Sequence, residues 1–328
     1  MSSVVVSPLR RVTRLGLILG AAALLAACAS LDKDDRGSQP IPVRLVSEMK
    51  SKGMKPKDPV FIRIYKQESE LEVWKRTASG RYALMKTYPL CRWSGKLGPK
   101  MREGDRQAPE GVYMVSPGRM NPRSQFYLSF DLGFPNKLEK ALGYSGNALM
   151  VHGACSSSGC YAMSDQGIAE IYPVVREAFA GGQTAVQVQA LPFRMNAQNL
   201  ARHAGDPNMP FWENLKEGVD YFDANRQPPS VAYCGRRYAF GLDPELGSGL
   251  DPLGACPAGV TDVPVTASIP DMTAISATGP ALAYTDGGMH PSFREILRKS
   301  GAKRLQALTS ERAEVSRPDA ALADPYQP

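Results

Sequence analysis

Alternation between apolar and polar residues predicts a series of short strands from residue 60 onwards. β-Branched and aromatic residues recur there with a period of two or form short continuous runs, which is typical of half-buried and buried strands. The strands predicted in this way are Val60–Tyr65, Leu71–Lys75, Tyr82–Tyr88, Val112–Val115, Phe126–Phe130, Ala148–Val151 and Thr184–Ala190. The short connections between them favour a mainly antiparallel sheet arrangement, closed or sandwich-like.

Helical spacing of apolar residues is found in fewer segments. It predicts a helix over Asp165–Ala180, because Ser164 or Asp165 is a good N-cap and Gly181-Gly182 ends the pattern. The apolar face of this helix is expected to be core, and it consists of Ile168, Ile171, Tyr172 and Val175. Further helices are predicted near Val43–Met49, Pro210–Phe222 and Pro291–Val315. The expected fold class is therefore β-rich α+β with flanking helices.

The first 27 residues have the pattern of an export signal. Three arginines precede an apolar stretch, Leu15–Ala27, that is shorter than the ~20 residues of a transmembrane helix. The stretch ends in Leu-Ala-Ala-Cys28, which resembles a bacterial lipoprotein processing box. We expect cleavage before Cys28, lipidation of its thiol, and a periplasmic location at the outer membrane, since Ala29 is not an acid. An uncleaved anchor or an ordinary signal peptide are the alternatives.

Composition narrows the classes of function. A hydrophobic content of 43% is that of a folding chain. Removing the three arginines of the signal lowers the formal charge from +7 to +4, a mild balance that does not indicate a nucleic-acid partner. Phosphate-binding and dinucleotide-binding glycine motifs are absent from the sequence, so no cofactor is predicted.

One stretch has the residues of an activated thiol. His152 and Gly153 follow a predicted strand, a loop of small residues comes next, and Cys160 lies eight positions after the histidine. A thiolate is the nucleophilic form of cysteine, and an imidazole or a helix N-terminus nearby favours that form. Gly159 leaves room beside the sulfur, and the N–H groups around Gly159 and Cys160 could form an oxyanion hole. A buried structural histidine and an inert cysteine are the alternative interpretation.

The motif His152-Gly153 followed by Ser158-Gly159-Cys160 resembles the active site of the YkuD-type L,D-transpeptidases, cysteine enzymes of bacterial peptidoglycan. The short spacing and the Cys-Tyr-Ala-Met sequence at Cys160 resemble the YafK-like branch of that family. The resemblance covers roughly 59–238. Other blocks that carry it are Phe61–Ile64, Leu71–Trp74, Trp93–Lys100, Gln107–Gly111 and Pro192–Met195. Ser158 and Ala162 stand where the broader family commonly has His and Arg.

Residue pattern and composition predict a signal peptide over 1–27, a tether over 28–58 and a low-complexity, largely disordered extension over 241–328. The resemblance implies that the catalytic domain covers 59–240. It also implies that Cys160 attacks the L-centre carbonyl of diaminopimelate in a peptidoglycan stem peptide and forms a thioester. His152 would transfer the proton, and the carbonyl of Gly153 would orient its ring. An amine acceptor gives transpeptidation, whereas release of a peptidoglycan-linked lipoprotein would make the protein an amidase. A non-catalytic peptidoglycan-binding lipoprotein is the third interpretation.

Four cysteines remain in an exported protein. Cys234 and Cys256 flank a short loop-rich segment and could form a disulfide. Cys91 and Cys155 could line the cleft, remain free, or pair with each other. No set of four ligands is evident in the sequence, so no metal is predicted.

Overall fold

The structure is a computed structural model that describes residues 34–258, 260 and 287–310. The predicted signal peptide, Cys28 and two parts of the predicted C-terminal extension, 261–286 and 311–328, lie outside the described residues. The strands are β1 Val60–Tyr65, β2 Glu70–Arg76, β3 Tyr82–Pro89, β4 Arg92–Trp93, β5 Gly111–Val115, β6 Met120–Asn121, β7 Ser129–Asp131, β8 Met150–His152, β9 Tyr161–Ala162, β10 Val186–Leu191, β11 Val231–Cys234 and β12 Arg237–Phe240. The helices are α1 Val43–Ser51, α2 Lys137–Ala141, α3 Asp165–Ala180, α4 Ala197–Arg202, α5 Met209–Asn225, α6 Pro244–Ser248 and α7 Pro291–Thr309.

Two five-stranded sheets form the β structure, in the orders β3-β2-β1-β10-β5 and β4-β9-β8-β7-β6. β11 and β12 form a separate antiparallel hairpin. Within the two sheets, β1 pairs with β10 and β8 pairs with β9 in parallel. The remaining neighbours are antiparallel, so the protein has the mixed α+β fold with mainly antiparallel sheets that the sequence predicted.

Helix α3 connects the second sheet to the first. Ser164 is its N-cap and accepts a hydrogen bond from the N–H of Gly167, and the helix ends at Gly181. Its predicted apolar face, Ile168, Ile171, Tyr172 and Val175, is buried in the main hydrophobic core. The predicted bounds and core face of this helix are confirmed.

Helix α1 confirms the helix predicted near Val43–Met49, but its packing corrects the predicted tether. Leu45 and Met49, four residues apart on one face, are buried in the main core together with Ile41. Burying each such side chain contributes roughly 1.5–3 kcal/mol, which explains why this segment packs on the domain despite its polar composition. The part of the predicted tether from Ile41 onwards therefore belongs to the folded unit, which includes the described residues from Arg36.

The described parts of the C-terminal extension are folded as well. α6 packs on β11, and a disulfide joins Cys234 to Cys256. Further along the chain, Gly288 exchanges backbone hydrogen bonds with Trp93, the second residue of β4. Burial of Met289 and Leu305 attaches α7 to the same edge of the second sheet. These residues correct the prediction of an irregular extension.

No helix among the described residues has the length and apolar character needed to cross a bilayer.

Candidate functional site

Parallel pairing of β8 and β9 brings the histidine and the cysteine of the motif to one face of the second sheet. His152 is paired with Ala162, and Val151 with Tyr161. Continuing this register by one pair places Cys160 beside Met150, whose N–H points at Sγ at 3.4 Å. Because side chains alternate along a strand, Met150, His152, Cys160 and Ala162 share a face.

His152 is buried, with 2% of its surface exposed. Its Nδ1 is in hydrogen-bond contact with the carbonyl oxygen of Gly153, and the ring of Phe126 covers it at a centroid distance of 4.7 Å. Burial lowers the pKa of His152 to about 4, and the contact with Gly153 opposes that shift. At neutral pH the imidazole is therefore uncharged and able to accept a proton.

The backbone around Gly153 leaves no space for a side chain. A Cβ at this position would lie 2.6 Å from Oδ1 of Asp165 and 2.9 Å from the carbonyl oxygen of Phe126. Oδ1 of Asp165 accepts a hydrogen bond from the N–H of Ala154 at 2.7 Å. The first residue of helix α3 thus fixes the turn whose carbonyl contacts the imidazole.

Cys160 is partly exposed, and it is the one free cysteine among the described residues. Burial raises the pKa of its thiol; the N–H of Met150 and the Lys100 cation oppose that shift, whereas Asp131 adds to it. With the pKa of the thiol raised and that of His152 lowered, the resting pair is a neutral thiol and a neutral imidazole. Proton transfer to His152 must then accompany nucleophilic attack.

Support of the thiolate by a helix N-terminus stays a prediction. β9 lies between Cys160 and α3 in the chain, and the carboxylate of Asp165, the first residue of α3, accepts from the N–H of Ala154. A helix dipole acts mainly within its first turn, so such support requires the thiol to lie close to that turn.

Gly159 and Ser158 immediately precede the thiol. Gly159 has φ +133°, a conformation that favours glycine, and its N–H points to Oγ of Ser157 at 3.4 Å. Oγ of Ser157 in turn donates to the carbonyl oxygen of Cys160 at 2.7 Å. Ser158 lines the cleft in front of the thiol. The oxyanion role of Ser158 and Gly159 stays a prediction.

A cleft of about 120 Å³ opens in front of Cys160. The segment after β4 supplies its charged side chains, Lys100, Glu103 and Arg106, and residues 146–149 also line it. Lys100 is nearly buried and forms an ion pair with Asp105. The cleft therefore presents charges of both signs to a ligand. Lys100 lies in one of the sequence blocks that resemble the family. The sequence did not indicate that Glu103 and Arg106 line the cleft.

A second disulfide joins Cys91, next to β4, to Cys155 in the loop between His152 and Cys160. It is buried and lies against Met289 and Leu305 of the C-terminal part. Of the three alternatives left open for these two cysteines, the structure has the mutual pair. The bridge attaches the motif loop to the edge of the second sheet.

Several described non-glycine residues near the motif have left-handed backbone, among them Tyr127 with φ 70°, Ala148 with φ 55° and Ala154 with φ 59°. Such conformations cost about 1–3 kcal/mol each and are typical of functional sites. Among the described residues, no group of three or more His, Cys, Asp or Glu side chains is placed to hold a metal ion.

Comparisons with known proteins identify the family of the chain. A family model described as the L,D-transpeptidase catalytic domain (YkuD) matches residues 59–188. The YafK protein of Escherichia coli (strain K12), which carries the name of an L,D-transpeptidase, is 45% identical over 180 residues, covering 55% of this chain and 73% of that protein. Among solved structures, the helical cell shape determining protein Pgp2 from Campylobacter jejuni is 17% identical with a TM-score of 0.33, covering 58% of this chain and 80% of that one. Bd1075 from Bdellovibrio bacteriovorus is 15% identical with a TM-score of 0.30, covering 50% of this chain and 62% of that one.

Proposed function

The chain belongs to the L,D-transpeptidase catalytic domain family, and we propose that it is a cysteine acyltransferase acting on peptidoglycan stem peptides. One observation carries the proposal. A free thiol at a charged cleft shares a sheet face with a buried, neutral histidine whose Nδ1 contacts a backbone carbonyl. That set of groups provides a nucleophile, a base and an orienting acceptor.

In the proposed first step, Sγ of Cys160 attacks the carbonyl on the L-centre of diaminopimelate. The S–H bond breaks, and the proton passes to the imidazole of His152. The tetrahedral intermediate then collapses to a thioester, and the amide C–N bond breaks. His152 returns the proton to the leaving amine, so the ring ends the half-reaction neutral. The carbonyl of Gly153 takes the place of the carboxylate of a Ser-His-Asp arrangement.

The charges of the cleft support a stem-peptide substrate. The D-centre of diaminopimelate carries an ammonium and a carboxylate, so a site that binds it needs groups of both signs. Lys100 and Arg106 supply positive charge to the cleft, and Glu103 supplies negative charge. Charge-assisted hydrogen bonds from such groups are about twice as strong as neutral ones.

Partial exposure of Cys160 favours a second outcome for the thioester. Water that reaches the acyl group would hydrolyse it, whereas an amine acceptor would give a cross-link. If the leaving amine is a lysine side chain of a protein, hydrolysis releases a peptidoglycan-bound lipoprotein, and the enzyme is an amidase. Both outcomes share the thioester and the same two residues.

The test uses purified full-length protein in detergent with sacculi that do or do not carry bound lipoprotein. Chromatography of muropeptides and immunoblotting follow D-alanine release, cross-linked dimers and freed lipoprotein. We expect the wild type to generate at least one of these products and Cys160→Ala to generate none. If the wild type binds sacculi but converts none of them, the protein is a binding protein and the proposal of an enzyme is refuted.

We also propose that a lipid on Cys28 anchors the protein at the outer membrane, on the evidence of the sequence motif alone. Membrane fractionation of wild type and Cys28→Ser, with mass spectrometry of the mature N-terminus, tests this. A mature N-terminus without a lipid, or one at a residue other than Cys28, would refute the anchor.

A further inference from the structure

A serine lies directly across from the histidine of the site. The antiparallel register of β7 and β8 pairs Ser129 with His152. In the next pair along the ladder, the N–H of Gly153 donates to the carbonyl oxygen of Leu128 at 3.1 Å. Because hydrogen-bonded and non-hydrogen-bonded pairs alternate, Ser129 and His152 form a non-hydrogen-bonded pair, the type in which side chains are closest. Cβ atoms in such pairs lie about 4.5–5.5 Å apart.

The hydroxyl of this serine is unusual. Ser129 is 0% exposed, and its Oγ has no hydrogen-bond partner among the described residues. Buried hydroxyl groups are nearly always paired, so an unpaired one calls for an explanation. On its own strand, the neighbour on the same face is Asp131, whose carboxylate already accepts bonds from Arg119 and from the N–H of Gly133.

The imidazole of His152 is the polar side chain that the register places beside Ser129. Its Nδ1 contacts the carbonyl of Gly153, and no hydrogen bond to Nε2 is present within the described part of the chain. The ring is buried, and the tilted ring of Phe126 packs against it at a centroid distance of 4.7 Å. When the ring takes up a proton, both nitrogens become donors and the charge has little water to solvate it.

We propose that Ser129 is a positioning residue, whose hydroxyl turns towards the imidazole of His152 and stabilises the ring while it carries the proton of Cys160. This rests on the proposed function, in which the S–H bond breaks and an N–H bond forms on His152. In this proposal, rotation about χ1 of Ser129 turns the oxygen towards the ring edge, and the paired strands stay in place. An oxygen lone pair facing the cation then replaces part of the solvation that burial removes.

This role makes stability and reactivity respond differently to the same substitution. Ser129→Ala removes a hydroxyl that has no partner in the resting protein, so the folded state loses no hydrogen bond. Its melting temperature is expected to equal or exceed that of the wild type. The formation of thiolate at Cys160 is expected to fall, because the proton acceptor has lost its support.

The experiment measures alkylation of Cys160 by iodoacetamide in the full-length protein in detergent at pH 7. Mass spectrometry of the Cys160 peptide gives the rate, which depends on the thiolate fraction. Ser129→Ala is expected to slow alkylation about tenfold, the lower end of the range for a polar contact with a charged group. In a His152→Ala background the same substitution is expected to have no further effect, which a double-mutant cycle detects. Equal rates for wild type and Ser129→Ala, or equal losses in both backgrounds, overturn the proposal.

Two controls separate the hydroxyl from packing. Ser129→Thr keeps the hydroxyl and is expected to alkylate near the wild-type rate; a loss as large as that of Ser129→Ala would refute the proposal. Ser230→Ala removes a hydroxyl that donates to the carbonyl of Leu242, next to the β11–β12 hairpin. It is expected to lower the melting temperature and leave the alkylation rate unchanged.

Alkylation requires no peptidoglycan, so the two proposals fail separately. A wild type that converts no sacculi but shows alkylation dependent on Ser129 would refute the proposed function and leave the Ser129–His152 coupling standing. If the wild type is active but the alkylation rate of Cys160 does not depend on Ser129, only the positioning role is refuted.

Discussion

Glu110→Gln is expected to destabilise the protein severely, because it leaves a buried lysine without its counter-ion. Lys66 and Glu110 are both 0% exposed, and their charged atoms lie 2.9 Å apart. Nζ of Lys66 also donates to the carbonyl oxygens of Gly98 at 3.0 Å and Ala108 at 2.9 Å, so all three of its donors are used. The arrangement fits a charged ammonium, although burial lowers the pKa of Lys66.

The carboxylate of Glu110 is equally occupied. Oε1 accepts from the N–H of Gly98 and Oε2 from Nε1 of Trp212, both at 2.7 Å. A glutamine keeps only one acceptor oxygen, so its amide group must face one of these donors. Removing one partner of a buried ion pair costs about 3–5 kcal/mol. For a folded unit of this size, ~2–4 °C per kcal/mol gives a decrease in melting temperature of roughly 6–20 °C.

Urea unfolding at pH 7, followed by circular dichroism, measures this effect. The matched control is Lys216→Met with Asp220→Asn, an exposed i,i+4 pair on α5 that should contribute only about 0.3–0.5 kcal/mol. Lys66→Met combined with Glu110→Gln is expected to recover part of the loss, because no buried charge then remains. If Glu110→Gln costs no more than the surface control, the ion pair does not stabilise the segment that lines the cleft.

Three further predictions concern the site and the surrounding domain. Cys160→Ala should abolish conversion of sacculi, whereas Cys91→Ala with Cys155→Ala should retain it. Urea unfolding of the double variant should show a free energy of unfolding lower by about 4 kcal/mol, as loop entropy predicts for a separation of 64 residues. Because the base must be neutral, the rate of conversion should decline as pH falls through about 4, the lowered pKa of His152, and not through its ordinary 6.5. A decline centred near 6.5, in a protein that circular dichroism shows to be folded, would contradict this. Burial raises the pKa of Glu139 to about 8, so the folded state retains a proton that the unfolded chain releases above about 4.5. Stability should therefore decrease as pH rises from 4.5 to 8, and Glu139→Gln should flatten that dependence in urea unfolding measured at several pH values.

Local pattern predicted most strands and helices well, because burial on one face was visible in the sequence. Val60–Tyr65 and Asp165–Ala180 have the predicted bounds. β7 and β8 begin two to three residues later than predicted, since Tyr127 and Ala148 adopt left-handed backbone that ends the extended conformation before each strand. No feature of a single sequence indicates such a conformation for tyrosine or alanine.

Long-range partners were beyond local pattern. The pairing of β1 with β10 joins residues more than a hundred positions apart, and the buried contact of Lys66 with Glu110 looks like ordinary surface charge in the sequence. The helix near Val43–Met49 was predicted, but polar composition assigned it to a tether, because only Leu45 and Met49 carry its buried face. Two apolar residues one helical turn apart are too weak a signal to predict that a helix packs on the domain.

The pairing of the two strands has more influence on the site than the length of the loop that separates His152 from Cys160. β8 and β9 are parallel neighbours, so the position of the thiol follows from the register that pairs His152 with Ala162. A slip of one residue in that register would turn the thiol to the opposite face, away from the imidazole. The Cys91–Cys155 disulfide and the bond from Ala154 to Asp165 hold the loop against the sheet and against α3, not against the thiol. Apart from Ser157, whose hydroxyl donates to the carbonyl oxygen of Cys160, loop residues can therefore change without moving the nucleophile. This holds provided that the strands keep their pairing and Gly153 keeps its carbonyl on the imidazole.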